Sequence, residues 1–142
     1  MSFELYQKDL LKLAARATGA GRLAEPDASA RVDNPLCGDR ITVDLKLAGN
    51  QIKEIGHDVK ACVLCQAAAS VLGAVAPGRT VSEVSTIADK VRALLRDEDA
   101  AVPEEPWQDF AAFLPAREFK SRHGCVLMPF DAIAEAVADS AS

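Results

Sequence analysis

The stretch Arg40-Ile41-Thr42-Val43-Asp44-Leu45-Lys46-Leu47-Ala48-Gly49-Asn50-Gln51-Ile52-Lys53-Glu54-Ile55-Gly56-His57-Asp58-Val59-Lys60 decides the fold. Ile41, Val43, Leu45 and Leu47 alternate with Thr42, Asp44 and Lys46, a period of two that marks a half-buried strand. Gly49-Asn50 makes a turn, and Ile52, Ile55 and Val59 return in a second strand, so the stretch reads as a β-hairpin with one face on the core. Directly after it the pattern changes. From Val63 to Ala76 nearly every residue is Ala, Val, Leu or Cys, which predicts a helix buried on most of its circumference and stopped by Pro77-Gly78.

Working outward, Phe3, Leu5, Tyr6, Leu10, Leu11, Leu13 and Ala14 recur at helical spacing, with Gly19 and Gly21 ending that segment. The turn-rich residues 22–36 run toward the hairpin, and residues 30–36 can add a third strand to it. Downstream, Thr80-Val81-Ser82-Glu83 reads as a capping box in which Thr80 bonds the Glu83 amide and Glu83 reaches back. Val84, Ile87, Val91, Leu94 and Leu95 give the helix that follows its buried stripe. Asp97 to Pro106 is a solvated acidic connection. Trp107, Phe110, Phe113 and Leu114 predict a short amphipathic helix before Pro115 that supplies core aromatics. A last helix carries Pro129 in its first turn, with Ile133, Ala136 and Val137 buried. A small antiparallel sheet covered by several helices is an α+β domain, and residues 1–142 are expected to form one such domain.

Composition narrows the function. The chain has 16 Lys and Arg against 21 Asp and Glu, a net charge of −5, which argues against general affinity for nucleic acid or an anionic membrane. No apolar run suggests a membrane span, and Glu4, Lys8 and Asp9 interrupt what a secretory signal would need. The expected location is cytoplasmic. In that compartment thiols are kept reduced, so four cysteines, Cys37, Cys62, Cys65 and Cys125, read as metal ligands, redox groups or core filler rather than as a disulfide framework.

Cys62 and Cys65 stand just before and within the first turn of the Ala-rich helix, where two thiols three apart can clasp a metal or cycle as a dithiol. A thioredoxin-like redox role wants a βαβ setting, and the pattern here is an antiparallel hairpin followed by helices. A zinc knuckle wants two clustered ligand pairs, whereas Cys37 and Cys125 stand singly. Cys62 is placed to feel a helix N-terminus, and Cys125 follows Arg117, Lys120, Arg122 and His123, a cationic group in an acidic chain. Both settings favour a reactive or metal-avid thiol. Asp39, two residues beyond Cys37 with Gly38 between, can offer a carboxylate as a fourth, weakly held ligand. Three thiolates and one carboxylate suit tetrahedral zinc. The plain readings stand beside this one. Cys65 reads as a small buried apolar residue, His57 as structural or solvent-facing, His123 as an exposed polar residue, and the Arg117 to Arg122 charges as either a solvated face or a docking surface.

Asn34-Pro35-Leu36-Cys37-Gly38-Asp39, an antiparallel pair, a Cys leading an Ala- and Ser-rich helix, and Arg122-His123-Gly124-Cys125 before a final helix together resemble the U-type iron–sulfur cluster assembly scaffolds, the family of IscU, SufU and the NifU N-terminal domain. The resemblance covers residues 1–138. Within the family the chain is more similar to the SufU branch: Cys62 and Cys125 are 63 residues apart with the extra length at 96–107, and Gly124 stands where IscU-type members have His. The resemblance implies a metal site of Cys37, Asp39, Cys62 and Cys125 holding zinc, and persulfide sulfur accepted from a SufS-like cysteine desulfurase on Cys37. It also implies Arg122 as a docking residue, iron–sulfur acceptor proteins as further partners, and a transient iron–sulfur cluster or iron ion as cargo. Such a protein is a scaffold or sulfur-transfer partner rather than a stand-alone enzyme. Cys65 stands where SufU-like proteins tend to have Ser, so a four-thiolate set of Cys37, Cys62, Cys65 and Cys125 is the alternative ligand set. The alternative function is a zinc-stabilised or dithiol interaction module without sulfur transfer.

Overall fold

The computed structural model describes residues 3–34, 38–97 and 99–141. Cys37, with Pro35 and Leu36, lies outside the described residues. The elements run α1 (Phe3–Arg16), β1 (Ala28–Asn34), β2 (Asp39–Ala48), β3 (Gln51–Lys60), α2 (Val63–Val75), α3 (Val81–Arg96), a 3₁₀ segment (Gln108–Glu118), a 3₁₀ turn (Lys120–Arg122) and α4 (His123–Ala141). The strands form one antiparallel sheet in the order β1-β2-β3. The expected hairpin is present with its turn at Gly49-Asn50, and the third strand is β1.

The alternation that predicts the hairpin also sorts its faces. Ile41, Val43 and Leu45 on β2 are 0–1% exposed and point to the same side as Asp39. They meet α2 and α4, which lie on that face of the sheet. α1 packs on α2, and α3 packs on α4. Trp107, Phe113 and Phe130 each pack on the Phe110 ring, with centroids 6.4, 5.5 and 5.5 Å away. These aromatics are core, as their spacing indicates.

Three local expectations are corrected. α4 begins at His123, six residues before Pro129, so Pro129 sits inside the helix rather than in its first turn. The apolar run Cys125 to Phe130 is buried against the sheet, and that burial overrides the break a proline signals. The 3₁₀ segment runs through Pro115 to Glu118 instead of stopping before it. The capping box is only half made. Thr80 Oγ1 accepts from the Glu83 amide at 3.1 Å, but Glu83 Oε2 accepts from Trp107 Nε1 at 2.9 Å instead of reaching back. A buried indole N–H needs a partner more than a cap amide near water does, and it takes the carboxylate.

The loop after α1 ties α2 to β3. Ala17 has φ 44° and Gly19 φ 85°, and the chain there crosses α2 at Gly73, where a Cβ would overlap the Thr18 carbonyl oxygen. Thr18 N donates to Ser70 Oγ at 3.3 Å, and His57 Nε2 donates to the Thr18 carbonyl at 2.8 Å.

Candidate metal centre

Chain direction explains how distant residues meet. Asp39 opens β2 opposite Asn34 of β1, and the Gly38 amide donates to the Asn34 carbonyl at 2.9 Å with Gly38 at φ 72°. A positive φ of that size is cheap only for glycine, so Gly38 sets the turn from which Asp39 enters the sheet. Arg40 pairs with Lys60, so the end of β3 lies beside the start of β2. Cys62, two residues on, therefore arrives next to Asp39. It is the N-cap of α2, with φ −66° and ψ 169°, and its thiol caps none of the helix amides. Gln66 holds this corner. Its amide donates to the Cys62 carbonyl at 3.1 Å and its Nε2 to the Ala61 carbonyl at 3.0 Å. Finally α4 crosses β1 and β2, delivering Cys125 from its first turn.

The ligand atoms of Asp39, Cys62 and Cys125 all lie within 4.8 Å of one another. Asp39 is 8% exposed and Cys125 3%, while Cys62 is half-buried, so the group opens toward solvent on the Cys62 side. The Cys125 thiol donates to Asp39 Oδ2 at 3.3 Å. The beginnings of α2 and α4 both face the group, and the positive ends of two helices favour anionic ligands there. A carboxylate among soft thiols is a donor set that zinc accepts, and two sulfurs each about 2.3 Å from a shared zinc fit within the observed spread.

Of the residues singled out in the sequence, Asp39, Cys62 and Cys125 come together. Cys37 lies outside the described residues. Cys65 is fully buried on α2 and is not a member of the trio. Lys120 and Arg122 are exposed on the turn that leads into α4. Arg117 is drawn away, its Nε donating to the Leu94 carbonyl near the end of α3 at 2.8 Å. His123 is half-buried rather than exposed, and its Nε2 sits 3.0 Å from the Ala116 carbonyl and 3.2 Å from that of Arg117. His57 is structural, held 5% exposed.

Sequence reasoning missed Gln66, for which a polar residue four positions past a Cys at a helix start was the available signal. It also missed Asp44. Fully buried on the opposite face of β2, Asp44 receives Arg22 Nε at 2.6 Å, Arg22 Nη2 at 3.0 Å, Ser29 Oγ at 2.6 Å and the Leu23 amide at 3.0 Å. Burial pushes its carboxyl pKa up, and those donors together outweigh burial and hold it below its ordinary value.

Comparison with known proteins gives the arrangement a family. The model of the NifU-like N terminal domain matches residues 5–139. IscU 1, an iron-sulfur cluster assembly scaffold protein of Archaeoglobus fulgidus, is 31% identical over 67 residues, 47% of this chain and 44% of that protein, so the match spans less than half of that relative's length. The IscU of Thermotoga maritima is 23% identical over 133 residues, 94% of this chain and 92% of that one. Among solved structures, the N-terminal NifU-like protein of Brucella abortus superposes with TM-score 0.89 and 36% identity over 97% of this chain and 95% of that one. A SufU from Fervidobacterium islandicum shares the fold at TM-score 0.83 and 18% identity, covering 96% of this chain and 98% of that one. With the domain model spanning nearly all of its length and the trio lying where three elements converge, the chain belongs to the NifU-like N-terminal domain family, the U-type iron–sulfur cluster assembly scaffolds.

Proposed function

We propose that this chain is an iron–sulfur cluster assembly scaffold of the SufU kind, which holds zinc and accepts sulfur from a cysteine desulfurase. The observation that carries the reading is the convergence of one carboxylate and two thiols, from β2, α2 and α4, within 4.8 Å. Cys37, two residues along the chain from Asp39, completes a set of Cys37, Asp39, Cys62 and Cys125. Zinc, when bound, would keep the thiols deprotonated near neutral pH.

The residues divide the work. Cys125 is rooted in the first turn of α4, and Cys62 stands at the N-cap of α2. Asp39 contributes the weak oxygen ligand, and its release leaves a place for exchange among the thiols. Cys37, in the segment between the paired residues Asn34 and Asp39, is the sulfur acceptor. Its sulfur attacks the terminal sulfur of the desulfurase persulfide, the S–S bond there breaks, and the desulfurase cysteine leaves as thiolate. Exposed Arg122 beside the site contributes to desulfurase docking. The cargo passes onward as sulfur or as a transient cluster to acceptor proteins.

Incubation with a cysteine desulfurase and cysteine tests the reading. The expected results are one added sulfur atom on Cys37 by peptide mass and faster alanine release by the desulfurase. Absence of both would favour a zinc-stabilised interaction module without sulfur traffic.

A further inference from the structure

We infer that Cys62 and Cys65 form an oxidisable pair, and that peroxide closes them into a disulfide that takes Cys62 out of the metal centre. The inference rests on the metal-binding reading for its consequence, but not for the bond itself.

The two thiols occupy the positions that bracket the first turn of α2. Cys62 is the N-cap of α2 and Cys65 is the third residue of the helix. Residues at these two positions are neighbours on the first turn of a helix, the spacing that a capping box uses. Cβ atoms three residues apart on a helix are about 5–6 Å apart, and a disulfide needs about 3.5–4.5 Å, so closure asks for a swing of about 1 Å. Cys62 can make that swing because it stands outside the helical ladder, with extended backbone and a thiol that caps no amide. Cys65, fully buried and fixed in the first turn, supplies the stationary partner.

Competition within the site favours this pair. Cys65 shares a single turn of chain with Cys62, the shortest loop any two of these thiols could close. Among the described thiols access points to Cys62 as the first to react, since it is half-buried while Cys65 and Cys125 are buried.

The steps balance. The Cys62 sulfur attacks one oxygen of hydrogen peroxide, the O–O bond breaks, and hydroxide leaves with the thiol proton as water, giving a sulfenic acid. The Cys65 sulfur then attacks the Cys62 sulfur and displaces the hydroxyl group, which leaves as a second water with the Cys65 proton. Two thiols have lost two electrons, and one peroxide has gained them. A thiol reductant reverses the bond by exchange. While it is closed, the metal centre lacks one thiolate, and its hold on metal falls.

Digestion with trypsin provides a clean readout, because cleavage after Lys60 and Arg79 leaves Cys62 and Cys65 on one peptide with no other cysteine. The full chain, zinc-loaded and metal-free, is treated with hydrogen peroxide and alkylated. The expected product is peptide 61–79 lighter by two hydrogen atoms and unalkylated, with zinc released from the loaded sample and rebound after thiol reduction. Cys65→Ser and Cys65→Ala should instead carry Cys62 on to the sulfinic acid, heavier by two oxygen atoms, and lose zinc without recovery. Disulfides joining peptide 61–79 to the peptides of Cys37 or Cys125, or variants that recover zinc as the natural chain does, overturn the inference. If the chain holds no zinc, the peptide mass of the metal-free sample still decides whether the bond forms, so failure of the metal reading and failure of this one are told apart.

Discussion

The thiol of Cys125 donates to Oδ2 of Asp39 at 3.3 Å, joining two residues 86 positions apart in a largely dry corner. The contact ties the carboxylate of the trio to its last thiol. Asp39→Ala is therefore expected to weaken zinc binding roughly 10–100-fold, the range found when a group that orients or completes a metal site is removed. Competition with a chromogenic chelator measures this. Cys65→Ser should leave the affinity nearly unchanged, and the reverse order of effects would assign the fourth position to Cys65.

Asp44 is expected to be the costliest carboxylate to remove. Asp44→Ala strands Ser29, the Leu23 amide and Arg22 at once, and should cost roughly 2–4 kcal/mol in urea unfolding. Its folded pKa lies below the ordinary 3.8, because the donors outweigh burial, so its contribution is present above that value and is lost as pH falls through the folded pKa. The gap in stability between the natural chain and Asp44→Asn should thus close in acid below about pH 4. A gap that is flat with pH would remove the carboxylate from this account.

His57 should give stability a slope of the same sign in a higher pH range. Burial lowers its pKa from 6.5, against the opposing effects of its bond to Thr18 and of nearby Asp58. The unfolded chain then holds the proton more tightly, so stability is full above 6.5 and declines as pH falls through the lower folded value. Denaturation midpoints at a series of pH values should rise toward 6.5, and His57→Gln should flatten that rise while lowering stability overall.

Glu83 carries a role its capping position does not advertise. Glu83→Ala leaves the Trp107 indole N–H without its carboxylate, and should cost about 1–3 kcal/mol, more than the roughly 1 kcal/mol of an N-cap change such as Thr80→Ala. Trp107 emission, followed through unfolding, reports both.

The sheet was legible because Ile41, Val43, Leu45 and Leu47 alternate along β2 and Gly49-Asn50 turns the chain back into β3, and α2 because its apolar run is bounded by Pro77-Gly78. Asp39 was legible from its place two residues beyond Cys37 with Gly38 between, and the strand carries it to the side of Ile41 and Val43. What escaped lies in contacts between segments remote in sequence. By parity Asp44 belongs on the outer, polar face, and only the loop around Arg22 folding over it makes it a buried carboxylate. Glu83 had a local partner on offer and took a distant one. The start of α4 was misplaced because Gly124 and Pro129 are local helix breakers, while the burial that overrules them is a property of the assembled core.

The pairing of Asn34 with Asp39, and of Arg40 with Lys60, makes the β1-β2-β3 ladder a ruler with a grain of one residue. Removing or adding a single codon between Asp39 and Leu45 would invert strand parity and turn the carboxylate outward, away from both sulfurs. The acidic connection before Trp107 has no such constraint. Length variation among relatives of this chain is therefore expected to gather there, and the spacing from Asp39 to Cys62 to hold constant even where the side chains between them drift.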